Sequence, residues 1–170
     1  MGKNFTLVMK AKEFKKEVLE ITLKCVDRKP EDWTTFNDKM HTIFLKDDYV
    51  PTKVSLLSND ELPILECDLN DSYLLVTSDR VISIINNKYD EIYPNDFYEL
   101  CNDYEKFNYK KEGDHPKTNI ICIQKIDGFK VLLKIDSHYP AFFTKILIYN
   151  IMLYKKEGRW FLNPTKKSYE

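Results

Sequence analysis

Histidine, cysteine and serine are the side chains of this sequence best suited to metal binding or nucleophilic catalysis. The three histidines, His41, His115 and His138, lie at no metal-ligand spacing from one another or from a cysteine, which argues against a zinc site. Ser137 precedes His138, but adjacent side chains on a strand or turn point apart, which disfavours a nucleophile and its base. The four glycines form no phosphate-binding loop. We therefore expect no catalytic residue, no metal site and no cofactor, and a protein that is not an enzyme.

The four cysteines are far apart in the sequence and have mostly apolar neighbours; they are Cys25, Cys67, Cys101 and Cys122. This pattern is typical of reduced, buried thiols rather than of a disulfide framework. The N-terminal segment has too few apolar residues for a signal peptide, and no apolar run approaches the ~18 residues of a membrane span. We therefore expect a cytoplasmic protein. The opening Met-Gly-Lys-Asn-Phe-Thr also matches the myristoylation pattern, so acylation of Gly2 stays open.

Charge is segregated along the chain, although the formal net charge is only −1. Residues 47–105 contain 14 acidic and 3 basic side chains, whereas the segments on either side are net basic. Such an acidic block attracts a basic partner and speeds its association at low salt. The alternative is a solvated surface that keeps a strand edge from aggregating. We expect the partner-binding residues at turns and strand ends of this block: Asp60, Glu61, Asp90, Glu91, Asp96, Glu99 and Asp103.

The elements that must position these residues begin with two predicted helices in residues 1–46. One apolar stripe recurs at helical spacing from Leu7 to Cys25. The segment 27–30 interrupts it, and Pro30 with the acidic residues that follow predicts the first turn of a second helix. That helix would present the apolar stripe from Trp33 to Phe44. These helices form an N-terminal extension, with the main domain at 47–170.

The main domain shows the alternation and turn residues of an antiparallel sheet. Seven strands are predicted, at 63–69, 72–79, 80–86, 88–94, 103–111, 119–126 and 129–136. Asn86-Asn87 and Asp127-Gly128 are typical of tight hairpins. A last helix is predicted over 140–156, with Pro140 at its start and Gly158 after its end. The expected core consists of Leu75, Val81, Ile84, Ile121, Ile123, Leu132 and Phe143.

This order of elements resembles the pleckstrin-homology-like (PH-like) fold over residues 62–157. The segment VTSDRVISI (76–84) is similar to the Thr-x-x-Arg hairpin of bacterial PH-like domains, and IYPNDFYEL (92–100) resembles the approach to their fifth strand. The resemblance implies an α+β fold, in which a seven-stranded antiparallel barrel or sandwich is capped by the C-terminal helix and preceded by two helices. Phosphoinositide-binding members hold phosphates with basic side chains in the first hairpin. The corresponding ECDLNDSY has none, so we expect no phosphoinositide ligand.

A protein-binding module remains as the expected function. Its sharpest form is a bacterial immunity protein that neutralises a basic toxin domain through the acidic surface, and the Lys-, Asn-, Ile- and Tyr-rich composition fits an AT-rich bacterial genome. The alternative is a PH-like scaffold or membrane-associated domain. Nucleic-acid binding is not expected, because the one basic stretch with aromatic residues is short. The oligomeric state stays open.

Overall fold

The computed structural model describes residues 10–26, 28–46, 48–101 and 115–161. They form an α+β fold of two helices and two antiparallel sheets, so the predicted fold class is confirmed at this level. The elements are α1 (Ala11–Cys25), β1 (Thr42–Phe44), β2 (Pro63–Leu69), β3 (Ser72–Thr77), β4 (Val81–Ile85), β5 (Lys88–Ile92), β6 (Phe97–Leu100), β7 (Thr118–Lys125), β8 (Lys130–Asp136) and α2 (Tyr139–Glu157). Short 3₁₀ turns occur at Pro30–Asp32, Val54–Leu56 and Pro94–Asp96.

Strands β1 to β5 form one sheet in sequence order, and β6 to β8 form the other. The hairpin between β4 and β5 turns at Asn86 and Asn87, whose φ angles of 50° and 64° are those of a two-residue hairpin turn. The β7–β8 hairpin uses Gly128 at φ 87°. Strand β8 contacts β2, β3, β4 and β5, so the second sheet crosses the first and encloses the main core between them.

The C-terminal helix α2 closes this core, and its bounds agree with the helix predicted over 140–156. Pro140 lies in its first turn, and Gly158 follows its end in the left-handed conformation at φ 70°. The Gly158 N–H donates to the Tyr154 carbonyl at 2.8 Å. Phe143, Leu147 and other apolar side chains of α2 are buried against both sheets.

The second predicted N-terminal helix is wrong. Only Pro30–Asp32 is helical, as a single 3₁₀ turn, and the chain then runs without regular structure into strand β1. The buried Asp136 carboxylate explains the difference, because it accepts the backbone N–H groups of His41 and Thr42, each at 2.7 Å. These bonds hold the segment extended beside β2. This contact between distant parts of the chain determines the conformation of the segment more strongly than its helical spacing of apolar residues does.

Residues 10–26 and 28–46 share the sheet and the core of the other described residues. Strand β1 pairs with β2, and Phe14 and Val18 of α1 are fully buried in the main core. Helix α1 packs on α2, where Asn150 donates to the Thr22 hydroxyl at 3.2 Å. Strand β1 and helix α1 are thus packed together with the strands that follow residue 46.

Strand β6 was not among the predicted strands. Its residues, 97–100, lie in the stretch 92–100 that the PH-like resemblance places just before the fifth strand. The strand predicted at 103–111 lies outside the described residues. Of the expected core, Leu75, Val81, Ile121, Ile123 and Phe143 are buried. Ile84 and Leu132 are partly exposed. In β8, Val131, Leu133 and Ile135 point into the core, so Leu132 points to the opposite face of the strand.

The outer face of the five-stranded sheet is covered as well. Leu45, Tyr73, Leu75 and Ile82 form a second apolar cluster there, against which Leu56 and Leu57 pack. Every residue of β3 is therefore buried, on one face by the main core and on the other by the segment 48–61. We call residues 48–61 the cover segment; its attachment to the sheet brings the buried charges together.

Candidate functional site

Arg80 is the centre of the largest buried charged group in the described part of the chain. Its Nε donates to Glu61 Oε1 at 2.9 Å and its Nη1 to Glu91 Oε2 at 2.6 Å, while Nη2 donates to the Leu56 carbonyl at 2.7 Å. The Arg80 and Glu61 side chains are 9% and 2% exposed, respectively. Nη2 also donates to Glu61 Oε2 at 3.2 Å, and the hydroxyls of Tyr89 and Tyr93 lie within hydrogen-bonding distance of Nη1, so each guanidinium nitrogen has an acceptor.

The Thr-x-x-Arg hairpin, from Thr77 to Arg80, positions this group. The Thr77 hydroxyl accepts the N–H groups of Asp79 and Arg80, at 3.1 Å and 3.0 Å, and thereby fixes the turn between β3 and β4. It also lies 2.7 Å from Glu61 Oε1, to which it donates. The turn therefore directs Arg80 across the sheet toward the cover segment, where Glu61 and Leu56 lie.

The ionisation of this group follows from its contacts. Burial alone would raise the pKa of the Glu61 carboxyl, but hydrogen bonds from Arg80 and Thr77 outweigh it and hold the pKa below its usual value. The hydrogen bond to Glu61 raises the pKa of Arg80. Burial and the bond to Glu91 raise the pKa of Tyr89 to about 12. At neutral pH the Arg80 cation thus faces an ionised Glu61 beside a neutral Tyr89.

A second buried carboxylate attaches the other half of the cover segment. Glu66 is 1% exposed and accepts the N–H of Thr52 at 2.8 Å and the hydroxyl of Tyr73 at 2.5 Å. Burial, together with this bond to Glu66, raises the pKa of the Tyr73 hydroxyl. Both buried carboxylate groups therefore have a structural role, because their hydrogen bonds hold residues 48–61 on the sheet rather than pointing toward a ligand.

The predicted partner-binding residues are consequently in different environments. Glu61 differs from the expectation that it binds a partner, because it is buried against Arg80 and its side chain does not reach the surface. Glu91 is half-buried on the same arginine, and Asp90 lies 3.7 Å from the Lys88 ammonium. Asp60, Asp96 and Glu99 are exposed. Asp103 lies outside the described residues.

The exposed acidic residues Asp96 and Glu99 are accompanied by two exposed tyrosines. Tyr93 is 41% exposed and Tyr98 is 60% exposed. Strand β6 has an extra residue between Phe97 and Glu99 relative to β7, a β-bulge that redirects the side chains around Tyr98. The turn before it is held by the Ile126 N–H, which donates to the Asp96 carbonyl at 2.9 Å. We call Tyr93, Asp96, Tyr98 and Glu99 the tyrosine–acid patch.

The three histidines, which are remote in sequence, lie near one another around the segment 34–41. The rings of His115 and His138 contact Phe36, with centroids at 4.1 Å and 4.9 Å. His41 Nδ1 lies 3.3 Å from Asp136 Oδ1. Even so, no group of three or more histidines, cysteines or acids within the described ranges is arranged to hold a metal ion. Their sequence spacing could not reveal this proximity, because it depends on the Asp136 contact.

All four cysteines are free thiols in the described part of the chain. Burial raises the pKa of the Cys67 thiol to about 12, and that of Cys122 to about 12 with a further contribution from its hydrogen bond with Cys101. Both are therefore protonated at neutral pH. A protonated, buried thiol is a poor nucleophile, so neither residue is placed for covalent catalysis.

The tyrosine–acid patch is thus one part of the acidic block that the fold leaves accessible, and Asp60 is exposed as well. No helix in the described ranges has the length and apolar character needed to cross a membrane. Comparisons of the chain with protein-family models, curated proteins and solved structures give no match.

Proposed function

We propose that this protein is a non-catalytic protein-binding module that recognises a basic partner through the tyrosine–acid patch. The observation that carries the proposal is the exposure of Tyr98 and Tyr93 beside two carboxylates, Asp96 and Glu99, for which the described residues provide no ion pair. Tyrosine is enriched among the residues that dominate binding energy, because it buries a large apolar surface and retains a hydrogen-bonding hydroxyl. Nearby carboxylates increase the rate at which a basic partner associates.

The rigidity of the patch supports this function. Tyr93 lies with its hydroxyl 3.4 Å from Arg80 Nη1, and the 3₁₀ turn that follows is closed by the Asp96 N–H to the Tyr93 carbonyl at 2.9 Å. The buried Arg80 group is therefore a support for the surface that binds. A surface that is already ordered loses less conformational entropy on association.

Neutralisation of a basic toxin domain, the activity of an immunity protein, is the most specific form of the proposal. The acidic block favours it. The crossed sheets and the C-terminal helix α2 support a PH-like architecture, in which a scaffold or membrane-associated domain is the second candidate. An adjacent gene for a secreted toxin would favour the first candidate, and a membrane-protein or regulatory operon the second.

The test is a charge reversal in the patch. Asp96→Lys with Glu99→Lys should slow association with a partner captured from the source organism, and the effect should shrink as salt is raised. Stability should change by less than ~0.5 kcal/mol, since both positions are exposed. Tyr98→Ala should instead speed dissociation.

Glu20→Lys with Asp32→Lys is the matched control, because these exposed acidic residues of the N-terminal segment give the same change in net charge away from the patch. Equal slowing by both double variants would assign the effect to net charge alone. Association that is insensitive to salt and to the patch reversal would refute the proposal.

A further inference from the structure

A large groove lies between helix α1 and strand β1. Its volume is about 840 Å³, within the range of ligand-binding clefts. Its apolar lining consists of Leu19, Trp33, Met40, Ile43, Phe44 and Leu45. Ile43 is 40% exposed and Met40 is 37% exposed, so apolar side chains lie open to solvent there.

The groove follows the outer edge of β1. Residues 42 to 46 all line it, without the alternation expected if one face of the strand formed the wall. Strand β1 is the terminal strand of its sheet, and β2 pairs with its other edge. Among the described residues, no strand pairs with the groove-facing edge.

The hydrogen-bond phase of β1 identifies the backbone groups at that edge. The Leu45 N–H donates to the Ile64 carbonyl at 3.0 Å, and Phe44 is paired in register with Leu65. Since successive residues of a strand direct their backbone groups to opposite edges, Phe44 presents its N–H and C=O to the groove. The Thr42 N–H is already bonded to Asp136, so pairing along this edge would begin at the Thr42 carbonyl.

The rim of the groove has the opposite net charge to the tyrosine–acid patch. Lys12, Lys16 and Lys46 are exposed along it, and Lys15 is buried below. These four lysines outnumber the two exposed glutamates of the lining, Glu13 and Glu31. Lysines can also protect a strand edge from aggregation. A protected edge does not need an apolar groove of this size beside it, however, and the exposed Ile43 and Met40 would increase the risk.

We propose that this groove binds an extended acidic segment of a partner protein, which adds to the sheet as a strand beside β1. Backbone bonds to Phe44 would fix the segment, and alternate apolar side chains would enter the groove between β1 and α1. Its carboxylates would meet the lysine rim. This site lies at the β1 edge of the five-stranded sheet and is additional to the site of the proposed function.

The experiment titrates the full-length protein with a terminally blocked peptide of alternating glutamate and valine, up to millimolar concentration, and records amide NMR spectra. Binding of the peptide should reach saturation and should shift the resonances of residues in α1 and at 40–46. A lysine–valine peptide should bind roughly tenfold more weakly because of the rim charge. The glutamate–valine peptide with N-methylated backbone positions should lose binding by a similar factor, since it cannot pair as a strand.

Lys12→Glu with Lys16→Glu should weaken binding of the glutamate–valine peptide roughly tenfold. The control, Lys24→Glu with Lys29→Glu, changes exposed positions outside the groove and should leave this binding unchanged. Equal binding of the N-methylated peptide, or shifts elsewhere on the protein, would overturn the proposal. So would concentration-dependent dimerisation that the peptide relieves, which would assign the groove to a second copy. Absence of any shift at millimolar peptide would also overturn it.

Discussion

Replacement of Arg80 by methionine is the sharpest test of the buried charged group. The change keeps most of the side-chain volume but leaves the Glu61 carboxylate, 2% exposed, without its cation, and the Leu56 carbonyl without its donor. Removing one member of a buried ion pair typically costs about 3–5 kcal/mol, because a buried charge is left uncompensated. We expect the free energy of unfolding of Arg80→Met to fall by an amount in that range, measured by urea denaturation with tryptophan fluorescence and circular dichroism.

Lys117→Met is the matched control, since it removes an ion pair of the same kind at the surface. The Lys117 and Asp38 side chains are 63% and 80% exposed and lie 3.0 Å apart. Exposed pairs contribute about 0–1 kcal/mol, so this variant should lose at most that much. Equally small losses of unfolding free energy in Lys117→Met and Arg80→Met would refute the structural role assigned to Arg80.

A double-mutant cycle separates the pair from its surroundings. Glu61→Met combined with Arg80→Met should be less destabilised than the sum of the two single variants by roughly 1–3 kcal/mol, because no buried charge is then left by either change. The loss in Arg80→Met should also shrink as pH falls, since protonation of Glu61 removes the uncompensated charge. Additive losses at neutral pH would show that the two side chains do not interact.

Two further predictions concern the core and the acid limb of stability. Leu133→Ala should cost about 2–5 kcal/mol, whereas Leu132→Ala, on the outward face of the same strand, should cost clearly less by the same denaturation assay; equal losses would contradict the assigned strand orientation. Because the pKa of Glu61 is lowered by folding, its contribution is complete above the ordinary value of 4.5 and is lost as pH falls through the lower folded value. Glu61→Gln should therefore flatten the fall in stability over that acid range, and an unchanged pH profile would contradict the contacts given to Glu61.

The sequence predicted those elements whose signals are local. The Asn86-Asn87 turn and the alternation around it determine a hairpin within a few residues, and Pro140 and Gly158 mark the ends of α2. Strand β1 could not be predicted in this way. It has three residues, and its extended conformation depends on Asp136, which is remote in sequence.

The same difference separates the acidic residues. The sequence could not distinguish the buried Glu61 from the exposed Asp96, because burial is decided by what covers the sheet. A signal was nevertheless present: Arg80 is one of only three basic residues in the segment 47–105 and lies between two apolar strands. An arginine in that position must find carboxylates, so part of the acidic block was committed to structure and not to binding.

The two proposed surfaces should act independently, because the groove lies at the β1 edge of the five-stranded sheet, whereas the tyrosine–acid patch begins after β5 at its opposite edge and continues in β6 of the second sheet. Strands β1 and β5 are separated by three strands, which at ~4.8 Å per spacing puts their axes about 19 Å apart. This exceeds the ~8 Å screening length at physiological salt, and sites at such separations usually combine additively. Asp96→Lys with Glu99→Lys should therefore leave the affinity of the β1 groove for the glutamate–valine peptide within roughly twofold at physiological salt. A larger change there would mean that the two edges are coupled through the sheet, and that the module responds at one edge to occupancy of the other.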